Sequence, residues 1–293
     1  YYGGRELPGQ RAELYDKFTA NLLHRRSKDP ERVRVFLMTL AHRMHTEKLK
    51  GADEKYVLEI LKEFFPGNEK ESENDYSRRV IDTFNDIEPE CGLISRITGQ
   101  CQFRHLTFQE FLTARHLADV STDFIKAVAD FWEDDWYREV VELYVSYLSI
   151  NSKALANQIV KTALEAEGSP PFARWRLAAR ALLDIKADRR QIEITDLATE
   201  RLREVISSQA NIPPADRADA GESLGRLGDR RDLEAFIPVT GGRYRLSSGT
   251  VDIEPFELSR YPVTNQWFRK FADEAGGYED QTYWSDNGKA WLK

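Results

Sequence analysis

The residues best placed for chemistry sit in one short string, Phe103-Arg104-His105-Leu106-Thr107-Phe108-Gln109-Glu110-Phe111-Leu112. It reads as a strand that ends in His105 and passes directly into a helix. An imidazole at such a junction can donate a hydrogen bond to an anion, and an ordinary pKa of about 6.5 makes it responsive to the charge it meets. The competing reading is a histidine satisfied locally at a strand end. Thr107 with Glu110 has the spacing of a capping box, and Leu106 with Phe111 that of a hydrophobic staple. Phe108, Phe111, Leu112 and Arg115 follow helical spacing, which predicts one apolar face.

The elements that must position this string are legible on either side of it. Asp29-Pro30 has the form of an N-cap followed by proline at the first helical position. Val33, Phe36, Leu37, Leu40, Ala41 and Met44 then recur at helical spacing. A second helix carries Tyr56, Val57, Ile60, Leu61 and Phe64 and ends at Pro66-Gly67. A third carries Val80, Ile81 and Phe84 and is closed by Pro89 and Gly92. Leu93-Ile94 and Gln102-Phe103 flank Thr98-Gly99-Gln100, a hairpin turn. Three helices and a hairpin make a winged helix. Its basic residues Arg32, Arg34, Arg43, Lys48 and Lys50 either face DNA, as in free winged helices, or form a solvated face.

From about Asp123 to Asp232 the pattern is helix after helix, at Trp136 to Ile150, Lys153 to Glu167, Phe172 to Lys186, Ile194 to Gln209 and Pro214 to Leu227. Arg176-Leu177-Ala178-Ala179-Arg180-Ala181-Leu182-Leu183 is echoed by Arg217-Ala218-Asp219-Ala220-Gly221-Glu222-Ser223-Leu224 about 40 residues later, the period of HEAT-type helical pairs. An irregular helical domain is the alternative. After Ala235 short strands replace helices, around Phe236 to Leu246, Val251 to Ile253 and Phe256 to Leu258. Thr264 then caps a helix whose Trp267, Phe268 and Phe271 are expected to be buried.

Several chemistries are missing from the sequence. No Gly-x4-Gly-Lys-(Ser/Thr) phosphate loop occurs; Asn287-Gly288-Lys289-Ala290 puts Ala where the magnesium-binding hydroxyl belongs. Cys91 and Cys101 lie near His105, but a closed zinc site lacks a ligand, and two reduced, buried thiols are expected. The net charge of −7 argues against a dedicated nucleic-acid binder. No apolar run approaches the roughly 20 residues needed to cross a bilayer, and no basic-then-apolar leader opens the sequence, so a cytoplasmic location is expected. Tyr1 in place of Met and a strand-like Trp291-Leu292-Lys293 give the expectation of a piece of a longer protein.

The string from Phe103 to Leu112, continued by Thr113-Ala114-Arg115-His116-Leu117-Ala118, resembles the end of the winged helix in NACHT/STAND-type signalling NTPases. Those proteins carry Phe-x-His-x-(Thr/Ser)-Phe-Gln-Glu-Phe ahead of an alanine-rich helix. Leu7-Pro8 followed by Arg11, Leu14 and Tyr15 resembles the last helix of their lid. The resemblance implies that His105 reaches the phosphates of bound ADP and helps hold a closed state. It also implies that Thr107, Phe108, Glu110 and Phe111 are structural signature residues. The segment Gly241-Gly242 to Phe271, with Tyr261-Pro262-Val263-Thr264-Asn265, resembles the opening of formylglycine-generating-enzyme (sulfatase-modifying-factor) domains, which have a C-type-lectin-like fold. Leu246-Ser247 replaces that family's Met-Gly.

These resemblances imply a mainly α chain. Residues 1–28 end a lid, 29–120 are a winged helix with its signature helix, 121–235 are HEAT-like repeats, and 236–293 begin the α+β formylglycine-generating-enzyme-like domain. The implied function is the regulatory and sensor-linking part of a NACHT/STAND ATPase switch, in prokaryotic defence or signalling. No catalytic site is expected in this chain; ATP or ADP and Mg are expected in the full-length protein. The implied partners are its own N-terminal NTPase domain, an unidentified protein or small ligand at the C-terminal domain, and further copies on activation, with neither membrane nor nucleic acid. The alternatives are an oxidase acting on a substrate cysteine and a winged-helix DNA-binding regulator.

Overall fold

The Asp29 carboxylate accepts the Arg32 amide at 3.2 Å, and Pro30 follows it, so α2 (Pro30–Thr46) starts where the local sequence dictates. Its apolar stripe is buried from Val33 to Met44. Asp53 and Ser72 cap α3 (Glu54–Phe64) and α4 (Glu73–Cys91) in the same way. The spacing predicts that Pro89 closes α4, but the helix runs through it. Gly92, with φ of 65°, supplies the left-handed stop. Thr98 and Gly99, with φ of 50° and 80°, make the tight turn between β2 (Ile94–Ile97) and β3 (Gln100–Phe103). A short β1 (Ala52–Asp53), not evident from the sequence, pairs with the other edge of β3 and completes an antiparallel sheet of order β1-β3-β2.

The computed structural model describes residues 9–166, 172–274 and 276–291, in two compact units, Tyr1–Asp229 and Arg230–Lys293. Among the described residues twelve α-helices dominate, so the chain is mainly α. The Leu7-Pro8 pair lies outside the described residues.

In the first unit α5 (Leu106–Val120) packs against α2 and against α6 (Arg138–Asn151), while α1 (Arg11–Arg26) lies across α2, α5 and α6. Beyond α6 come α7 (Lys153–Glu165), α8 (Phe172–Leu183), α9 (Ile192–Ser207) and α10 (Pro214–Leu227), close to the predicted spans. Successive helices pack on one another, and α6 on α8, α7 on α9 and α8 on α10. Arginines close the carbonyl ends of these helices, where unpaired C=O groups and the negative end of the dipole collect. Arg189 donates to Ser149 and Ile150 in the last turn of α6, Arg201 to Leu164 in α7, and Arg190 to Leu183 at the end of α8 and to Ile185 just beyond it. Arg217 donates to Val205, Ile206, Ser208 and Ala210 around the end of α9.

The second unit pairs β4 (Phe236–Val239) with β7 (Phe256–Ser259) and β5 (Gly242–Leu246) with β6 (Gly249–Ile253), both antiparallel. Then come α11 (Asn265–Asp273) and α12 (Asp286–Trp291). Gly241 is required where it stands: a Cβ there would lie 2.6 Å from the Pro255 nitrogen and 2.7 Å from the Ile253 carbonyl oxygen. The expected burial of the α11 aromatics is not met. Phe268 and Phe271 are exposed, and Trp267 is half-buried with its ring edge-on to Phe236. No apolar side chain among the described residues of this unit is buried, because two separate ribbons and a short helix provide no second layer to enclose one.

Candidate functional site

His105 is the residue on which α5 begins. Its backbone is extended (φ −134°, ψ 137°), its carbonyl accepts the Phe108 amide at 3.0 Å, and Leu106 is already helical. Thr107 therefore lies inside the first turn, and the expected capping box with Glu110 does not form: α5 has no side-chain cap. The imidazole is exposed and makes no hydrogen bond among the described residues; its ring centre is 5.6 Å from that of Phe108. The first amides of a helix lack internal partners and sit at the positive end of its dipole. An exposed imidazole beside them can donate to an anion.

The rest of the string holds this position firmly. Phe108 stacks on Phe18 of α1 (5.6 Å, 6°) and meets Tyr15 edge-on at 6.0 Å. Phe111 is buried between Tyr15 and Tyr147. Arg115 continues the contact, ion-paired with Asp16 of α1 and lying 4.6 Å over the Tyr147 ring. Gln109 is buried, and its amide donates to the Leu49 carbonyl at 3.0 Å. Leu49 follows Lys48, whose φ is 56°, in the turn that ends α2. Gln109 thus ties the signature helix to the end of α2. Its position between two buried phenylalanines was the only signal for that role in the sequence.

Glu110 is half-buried, within electrostatic reach of Arg11 on α1 and of Arg138, Glu139 and Glu142 on α6. Burial, and next the charge of Glu139, push its carboxyl up to about 7. On the opposite side, His116 stacks on His42 of α2 at 4.5 Å. Burial depresses His42 to about 4, and the proximity of His116 adds to this; His116 is itself lowered by burial. His45, wholly buried, faces the Trp136 carbonyl through Nε2 at 3.1 Å, while the Trp136 indole donates to the His45 carbonyl at 2.8 Å. A carbonyl can only accept, so the neutral Nε2–H tautomer is the one that fits, and burial holds His45 to about 4. This reciprocal pair joins the winged helix to the turn before α6.

Four of the five basic residues in and just after α2 pair with carboxylates. Arg32 pairs with Asp29, Arg34 with Glu31, Arg43 with Glu63 through two 2.7 Å bonds, and Lys48 with Asp134. Lys50 lies 5.9 Å over the Trp136 ring. Cys91 and Cys101 are buried free thiols, and burial raises both. No group of three metal-ligating side chains occurs among the described residues. No helix among them is long and apolar enough to cross a membrane.

In the second unit Thr264 accepts the Trp267 amide at 3.1 Å and Asn265 opens α11, the cap that the sequence predicts. Tyr261 is half-buried, with the Arg231 guanidinium 5.2 Å from its ring centre and its carbonyl accepting the Ser259 hydroxyl at 2.6 Å; Pro262 is exposed. These residues shape a turn. They lie in a different unit from His105.

Residues 9–117 match the family described as "Winged helix-turn-helix domain C-terminal to NACHT". The matched span begins ahead of α1 and ends within α5, so it contains His105 and the whole signature string. No curated protein and no solved structure matches the chain.

Proposed function

We propose that this NACHT-associated winged helix is the regulatory arm of a nucleotide-driven switch, with His105 as its contact to the nucleotide. The observation that carries the reading is the placement of His105: an exposed imidazole with no hydrogen bond among the described residues, at the uncapped start of α5, inside the span that matches the winged helix found C-terminal to NACHT. In this reading ADP and Mg sit on an NTPase domain ahead of the winged helix. His105 donates to a phosphate oxygen of the closed state, and the HEAT-like helices carry the change onward. The second unit is the start of a formylglycine-generating-enzyme-like domain that serves for binding, and the output is defence or signalling.

The pairing of Arg32, Arg34, Arg43 and Lys48 with carboxylates favours this reading over duplex binding. The burial of both thiols in the first unit favours it over cysteine oxidation by this chain.

The test is His105→Ala in a protein that carries the NTPase domain. A hydrogen bond to a charged partner contributes about 1.5–3 kcal/mol. A contact made only in the closed state lowers its population by that amount when lost, roughly 10- to 100-fold. Faster ADP loss on purification, with output in the absence of ligand, is the expected result. ADP held as firmly as in the parent, with no such output, refutes the role of His105. The 293 residues alone have no phosphate loop, and calorimetry should show no micromolar ATP binding to them.

A further inference from the structure

The first turn of α1 is anchored in the helical layer and not in the winged helix. Gln10, almost fully buried, donates to the Ser149 hydroxyl at 2.8 Å and to the Asp184 carbonyl at 3.3 Å. The Arg11 guanidinium pairs with Glu139, lies 3.9 Å from Glu142, and meets Asp184 at 3.3 Å. Arg180 is the next cation, but it is divided between Glu142 at 2.7 Å and Asp219 at 2.9 Å. Glu110 faces the same cluster from α5. Glu139, Glu142 and Asp184 thus gather on the single Arg11 guanidinium in a largely buried joint, with Arg180 shared with Asp219 and Glu110, Arg138, Arg190 and Arg226 within electrostatic reach.

We propose that this joint is a proton-operated latch: with one proton held among Glu110, Glu139 and Asp184 the head of α1 stays fastened to α6 and the end of α8, and loss of that proton loosens it. The charged groups facing the joint are Arg11 and Tyr15 on α1, Glu110 on α5, and Arg138, Glu139 and Glu142 on α6. From α8 and beyond come Arg180, Asp184 and, through Asp184, Arg190 and, on α10, Arg226. Like charges this close cannot all ionise without loss, so the cluster retains a proton to higher pH than a free carboxylate does. In keeping with the geometry, burial pushes Asp184 up to about 6 and Glu110 to about 7, and raises Glu139.

The direction follows from linkage. The fastened joint binds protons more tightly than the open one. Its closure is strongest below about 4.5, weakens as pH rises toward about 7, and changes little above that. One linked proton alters the opening constant by at most about tenfold per pH unit. The head of α1 also positions Tyr15 and Phe18 against Phe108, so opening disturbs the wall beside His105. The latch nevertheless stands whether or not a nucleotide reaches His105, since it concerns only contacts within Tyr1–Asp229.

The test is amide hydrogen exchange on the 293-residue chain at pH 5 to 8, corrected for intrinsic rates, with α1 compared against α3. In the parent, protection of α1 should fall several-fold between pH 5 and 7 and level off above, while α3 holds steady. Glu110→Gln removes a titrating carboxylate without removing its bulk; it should flatten that dependence and raise α1 protection at pH 8. Arg11→Ala should lower α1 protection at every pH. Parent protection that does not vary with pH, or an E110Q profile that matches the parent, overturns the latch. So does an equal loss in α1 and α3, which would mark global unfolding.

Discussion

His105 and Phe108 lie on the same helical turn with opposite duties. The imidazole is exposed and makes no hydrogen bond among the described residues, so His105→Ala should change stability by no more than about 0.5 kcal/mol. Phe108→Ala opens a hole beneath Tyr15 and Phe18 and should cost about 3–5 kcal/mol. Urea unfolding of the two variants measures the difference directly, and equal losses would mean that His105 is structural. Gln109→Leu leaves the Leu49 carbonyl without its donor and should cost about 1–3 kcal/mol by the same measurement. The strand-end histidine and the buried phenylalanines were legible because spacing alone places them. The capping box was not: a Thr-x-x-Glu pattern says that a cap can form. It does not say that Leu106 turns helical one residue early, which leaves Thr107 inside the first turn and the helix start without a side-chain cap.

Among the elements, the helices of the first unit were legible nearly end to end, since α2, α3, α4 and α7 carry side-chain caps and the others an apolar stripe between breakers. The exceptions have tertiary causes. The helix expected from Trp136 begins at Arg138, because Asp134 accepts the Trp136 amide at 2.9 Å and His45 clasps the same residue, which holds Asp135–Tyr137 as a 3-10 turn. Strand β1 is two residues long and exists only because β3 has a free edge beside it. Arg217→Ala strips four carbonyls of their donor, and hydrogen exchange in the last turn of α9 should accelerate at least tenfold, by about 1.5–3 kcal/mol. The histidines between α2 and its neighbours set an acid limit. Imidazoles held to about 4 contribute stability that is complete above about 6.5 and is lost as pH falls toward 4. The ceiling is about 1.4 kcal/mol per pH unit for each group, with the wholly buried His45 closest to it. The carboxylate latch acts in the opposite sense, so the urea midpoint should be compared at pH 7 and pH 5 in an E110Q, D184N background. A midpoint that does not fall at pH 5 there would show that the buried histidines cost nothing to protonate.

At the scale of the molecule the two units differ in what encloses their apolar side chains. The first has a continuous core from Ala12 to Leu224, whereas the second leaves Phe236, Leu246, Leu258 and Phe268 about half exposed or more. Amides of residues 236–273 should therefore exchange orders of magnitude faster than those of α2, α5 and α6; comparable protection would mean that a core forms there. Strand spacing and the Thr264 cap were legible in this unit because they are local, but burial depends on a second layer that no short-range pattern can supply. Among the described residues the two ribbons pair only β4 with β7 and β5 with β6, which leaves unpaired backbone N–H and C=O groups along their outer sides. Such edges are templates for another strand, and this chain blunts them in two places: Pro238 removes a donor from β4, and the Arg243–Asp252 pair sets charge on the β5–β6 ribbon. What remains open makes the protein's colloidal behaviour a property of its last quarter. Light scattering should rise with concentration through edge-to-edge growth, and a lysine placed at Leu258 or Leu246 should delay it more than any change made to the helices.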